Sequence, residues 1–128
     1  METTIADRFA EAQPWNPSEH TPSALWVEGE SGWTLLSHFD DPYKAMTPLA
    51  LLSDKTAVLE MFGKMTKIAD DDVPVDGVPT ERVRLLFAVR GDDYQVVVCR
   101  ENGETFTDEG AQGVFLDLFL MTKELLGQ

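Results

Sequence analysis

The sequence predicts an α+β domain: an antiparallel sheet built of hairpins, with helices packed on it in two layers. Three observations carry that expectation. Two stretches rich in β-prone residues each fold back on themselves about a Gly-containing turn, other stretches place apolar residues at helical spacing, and 128 residues with 43% hydrophobic content suffice for one core but not two. The predicted order is helix, two or three strands, helix, two or three strands, helix. Residues 1–128 form a single domain, with irregular connectors at 13–23 and 70–80.

The opening "TTIADRF" has a helix-start signature. Thr4 and Asp7 stand three apart, so each side chain can take a free amide of the first turn. Ile5, Phe9 and Ala12 give this helix a short apolar stripe, and Pro14, Pro17 and Pro22 end it and mark the first connector.

"SALWVEGESGWTLLSHF" reads as a hairpin turning between Gly29 and Gly32. If Glu28 pairs with Trp33, then Leu25, Val27, Thr34, Leu36 and His38 share one face, and Trp26, Trp33 and Leu35 the other. Asp40 to Pro42 then turn the chain, and Met46 to Leu52 read as a third strand or a short helix, with the strand favoured. From Ser53 the period changes. Val58, Met61, Phe62, Met65 and Ile68 fall at helical spacing with Lys55, Glu60, Lys64 and Lys67 opposite, which predicts a helix over 54–69.

"ERVRLLFAVRGDDYQVVVCRENGE" is the strongest β signal, a hairpin with its turn in Gly91 to Asp93. Its alternation puts Val83, Leu85, Phe87 and Val89 with Tyr94, Val96 and Val98 on a core face. The opposite face carries Leu86, Ala88, Val97 and Cys99 in its middle and charges at its ends, so a second layer or a partner covers that middle. "GETFTDEG" adds a short edge strand. "GAQGVFLDLFLMTKELLG" closes the chain as a helix so apolar around its circumference that it is expected to be buried on most sides.

Charge narrows the function classes. The chain has 23 acidic and 10 basic residues, net −13, and the acidity is spread over both halves. Such a surface favours solubility and basic partners. A nucleic-acid binder of this size carries a basic stripe, whereas Arg82, Arg84 and Arg90 are flanked by Glu81, Asp92 and Asp93; direct nucleic-acid binding is not expected. The single cysteine, Cys99, fits a reducing compartment. "METTIADRFAEA" lacks a basic segment followed by an apolar run, and no window of about 18 apolar residues occurs. The expected location is cytoplasmic, away from membranes.

Chemical motifs are sparse. In "ADDDVPVDGVPT" Asp72, Asp76 and Gly77 sit at calcium-loop offsets, but Pro74 occupies a ligand position, Val83 stands where the bidentate glutamate belongs, and a strand follows in place of a second helix. The stretch reads as a solvated connector. His20 and His38 have no cysteine or carboxylate at ligand spacing, so no metal is expected. Ser37 and His38 are strand neighbours facing opposite ways, which prevents a nucleophile and base pair. The glycines form neither phosphate-binding pattern, no cofactor is expected, and Cys99 reads as a packing residue whose pKa Arg84 or Arg100 could lower.

The element order, small size, single domain and strong acidity resemble type III secretion chaperones and the similar YbjN-type regulatory domains. The resemblance covers nearly the whole chain at the level of architecture and carries no functional residue across. It implies a small dimeric α+β protein that binds another polypeptide, although a compact monomer buries the same apolar residues internally.

The leading expectation is a non-enzymatic protein-binding domain, chaperone-like or adaptor, that holds a protein partner or a second copy. Its candidate contacts are Leu86, Ala88, Val97 and Cys99 on the outer sheet face, with Trp15 as an anchor. The alternative is an acidic inhibitor or immunity-type protein, nucleic-acid mimics included, that neutralises a basic target through Asp70, Asp71, Asp72, Asp76, Asp92 and Asp93. A third reading is a small-molecule sensor or enzyme with Trp26 and Trp33 lining a pocket.

Overall fold

A computed structural model describes residues 4–13, 23–52, 54–66, 80–91, 93–100, 103–107 and 109–127. Helix α1 (Ile5–Ala12) starts on a complete capping box: Thr4 Oγ1 accepts from the Asp7 amide at 3.1 Å, and the Asp7 carboxylate accepts from the Thr4 amide at 3.3 Å. The helix ends at Gln13, one residue before Pro14. Six strands follow: β1 (Ser23–Gly29), β2 (Gly32–Phe39), β3 (Thr56–Thr66), β4 (Thr80–Arg90), β5 (Asp93–Arg100) and β6 (Thr105–Phe106). They form one sheet in the order β2-β1-β3-β4-β5-β6, every described pair antiparallel. Between β2 and β3 lie a 3-10 turn (Pro42–Ala45) and helix α2 (Met46–Leu51), and helix α3 (Glu109–Leu126) closes the order. The architecture is therefore α+β, with helices packed on an antiparallel sheet.

Two predicted elements exchange identity. Residues 54–69, expected as a helix, instead supply β3, which sits between β1 and β4. Ala57, Leu59 and Met61 face one core while Val58 lies in the other. A central strand covered on both faces is apolar at nearly every position, and such a run satisfies a helical template as readily as a strand one. Conversely Met46–Leu51, expected as a strand, is helical. The Asp41 side chain accepts from the Tyr43 amide and Pro42 opens the 3-10 turn, so the chain enters helical geometry before Met46. Pro48 falls within the first turn of α2, where its missing amide costs no hydrogen bond.

Both hairpins form. In the first, Glu28 pairs with Trp33, but a β-bulge shifts the register between Leu25 and Trp26, leaving Leu36 as the extra residue of β2. Beyond it Ser37 and Phe39, not Leu36 and His38, share the face of Leu25, and Phe39 packs against that core. In the second hairpin Val89 pairs with Tyr94, Phe87 with Val96 and Leu85 with Val98, as the alternation predicts. Gly91, with φ of 62°, supplies the left-handed backbone of the turn.

The helices divide between the faces of the sheet. Met46, Leu49 and Ala50 of α2 and Phe115 and Phe119 of α3 join Leu25, Leu59, Phe87, Val89 and Val96 in the larger core. Phe119 meets Phe87 and Tyr94 edge-on, both centroids at 5.5 Å. On the other face α1 lays Ala6 and Phe9 over Val58, Leu86, Ala88 and Cys99. Connectors 14–22 and 67–79 lie outside the described residues.

Candidate functional site

The outer sheet face, expected to meet a partner, is closed by the chain's own first helix. Leu86 and Ala88 of β4 are fully buried, Cys99 of β5 is buried and Val97 is half-buried, all packed with α1. The alternation of β4 and β5 had implied that something covers them, and α1 is that cover. Ring packing fixes it: Phe9 stands edge-on to Trp26 at 5.7 Å and to Trp33 at 5.2 Å. Arg8 Nη1 donates to both Glu28 carboxylate oxygens, at 2.8 and 2.6 Å, and the Ala6 amide donates to Gln95 Oε1 at 2.9 Å.

Beneath α1 lies a buried ion pair. Glu60 of β3 and Arg84 of β4 stand on the same face as Val58 and Leu86, and Arg84 Nε donates to Glu60 Oε2 at 2.6 Å. Their side chains are 2% and 3% exposed. Trp26 Nε1 donates to Glu60 Oε1 at 3.2 Å, Arg84 Nη2 donates to the Gln13 carbonyl oxygen that ends α1, and the Arg84 guanidinium lies 5.0 Å from the Phe9 ring centroid. The carboxylate thus receives donors from two strands, and the guanidinium joins the sheet to the end of α1. Such a buried pair is tolerated because each charge compensates the other. Its arrangement is that of a structural tie. Glu60, expected among the solvent-facing charges of a helix, is instead an acidic residue inside the apolar run "AVLEMF", diagonal to Arg84 on β4, and that lone charge within an apolar run was the legible signal.

Burial also decides the state of Cys99. Desolvation pushes its thiol pKa up; the nearby Arg84 charge lowers it, as the sequence suggests, but by less, so the net shift is upward. Ser37 is paired with Leu25 and His38 with Ala24 across β1, which places them on opposite faces. Among the described residues no three His, Cys, Asp or Glu side chains group as a metal site. Asp93 is exposed at the start of β5, opposite Arg90. Trp15, Asp70, Asp71, Asp72, Asp76 and Asp92 lie outside the described residues.

The exposed apolar surface lies elsewhere. Helix α3 was expected to be buried on most sides, yet only Phe115 and Phe119 are buried. Val114, Met121 and Leu125 are 49%, 58% and 69% exposed, and Leu120 and Leu126 are exposed as well. At 100° per residue, Phe115 and Phe119 define the direction of the sheet, and Val114, Met121 and Leu125 form a row along one flank. Asp117 and Glu124, both exposed, form the ridge beside that row. α3 also packs against α2, whose Leu51 is exposed. The excess of apolar residues on α3 over what one sheet face and one short helix can cover was the legible signal.

No helix among the described residues is long and apolar enough to cross a membrane. No protein-family model, no curated protein and no solved structure matches the chain.

Proposed function

We propose that this chain is a non-enzymatic protein-binding domain, chaperone-like or adaptor in use, that holds its partner on α3. The observation that supports the reading is the row of Val114, Met121 and Leu125, large apolar side chains left in solvent on one flank of a helix whose other flank anchors the core. Keeping such side chains exposed costs solubility and gives no packing in return, and a row of them along a helix suits a docking surface. The reading rests on that row and not on the architectural resemblance. The test is capture of proteins on the immobilised full chain from a lysate of its source organism, in parallel with a Met121→Lys, Leu125→Lys variant. A protein held in stoichiometric amount by the original chain and lost by the variant supports the reading, whereas identical captured sets overturn it.

A second reading, an acidic inhibitor or immunity-type protein that neutralises a basic target, is favoured by the net charge of −13 spread over both halves. Its partner would leave at moderate salt, and the variant would hold it as well as the original chain does.

A further inference from the structure

The side chains beside the apolar row specify what kind of partner segment fits it. Asp117 stands three residues after Val114 and four before Met121, and Glu124 three after Met121, so both carboxylates border the row along its length. They point away from the sheet that Phe115 and Phe119 face, and both are exposed. Lys123 lies on the other side of the helix, its Nζ 5.4 Å from the Phe119 ring centroid. A segment laid on Val114, Met121 and Leu125 therefore runs beside two carboxylates about two helical turns apart.

Resting on the protein-binding reading, we infer that α3 receives an amphipathic helix of a partner protein, with an apolar stripe packed on Val114, Met121 and Leu125 and lysine or arginine beside it paired with Asp117 and Glu124. Helical spacing on α3 matches an apolar stripe of helical period, the helix-on-helix mode of recognition. An antiparallel second copy fits poorly. Two α3 helices paired antiparallel about a two-fold axis bring their acidic rows to the same side, so four carboxylates meet, in chains that each carry a net −13. A basic helix turns the same carboxylates into attraction, which adds chiefly to encounter rate and specificity while the apolar row supplies the affinity.

The test uses the full chain and two 18-residue helical peptides, acetylated and amidated, with the same leucine stripe but flanked by lysine in one and by glutamate in the other. Fluorescence anisotropy should give 1:1 binding of the lysine peptide, about tenfold tighter or more than the glutamate peptide at low salt. Met121→Ser with Leu125→Ser should weaken it about tenfold or more. Asp117→Asn with Glu124→Gln should weaken it several-fold and flatten its salt dependence, with circular dichroism confirming the fold of each variant. Equal binding of the two peptides, binding that ignores both pairs of substitutions, or no binding of either peptide overturns the inference. Inert peptides beside a partner captured through α3 sink the basic-helix inference alone; absence of any such partner sinks the protein-binding reading itself.

Discussion

Arg84 and Glu60 meet at 2.6 Å between β4 and β3, beneath α1, with 3% and 2% of their side chains exposed. Two charges removed from water at this depth are tolerated because they satisfy one another, while Trp26 donates to the carboxylate and the Gln13 carbonyl accepts from the guanidinium. The pair therefore acts as a unit. Glu60→Ala or Arg84→Ala alone is expected to cost about 3–5 kcal/mol, since each leaves an uncompensated buried charge. The double replacement Glu60→Ala, Arg84→Ala should cost less than the sum of the two single losses, with a coupling of about 1–3 kcal/mol. Urea denaturation of the four proteins measures it, and strictly additive losses would show that the two residues stabilise the fold independently.

The same network sets what α1 contributes. Phe9 is its one large fully buried side chain, held edge-on by Trp26 and Trp33. Phe9→Ala should cost about 3–5 kcal/mol and uncover the two indoles. The expected readout is a red shift of tryptophan emission with the far-ultraviolet spectrum of the sheet retained. Unchanged emission would mean that the indoles are screened by something other than α1.

These residues also show how far the sequence could be read. The second hairpin was legible because two β-prone runs flank a Gly-containing turn, and a two-residue turn at Gly91 admits one face assignment. The capping box of α1 was legible for a similar reason, being a local rule with a local answer. β3 was not, since a strand buried on both faces has lost the alternation that identifies strands, and Glu60 then reads as the polar face of a helix. The bulge in β2 is likewise invisible in the sequence: one extra residue exchanges the faces of everything after it, and nothing in "TLLSHF" marks which residue is extra. Of the candidate contacts, Leu86, Ala88 and Cys99 were placed on the right face of the sheet, but no local pattern says which helix lands on a given face.

Cys99 gives a chemical test of that burial. Its thiol pKa lies above the ordinary value of 9.0 because burial disfavours the thiolate. A neutral form favoured by folding contributes stability that is complete below that ordinary value and is lost as pH rises through the higher folded value. Alkylation by iodoacetamide at pH 8 should accordingly be slow in the native protein and fast in urea. Equal rates in both states would show that the thiol is open to solvent.

A docking surface on α3 requires that Val114, Met121 and Leu125 be surface and not core. The most direct measurement is the unfolding free energy of Met121→Ser with Leu125→Ser beside that of the original chain, from urea denaturation. The expected difference is within about 0.5 kcal/mol, the usual range for surface substitutions. A loss of about 3 kcal/mol or more would make Met121 and Leu125 core side chains and remove the docking surface.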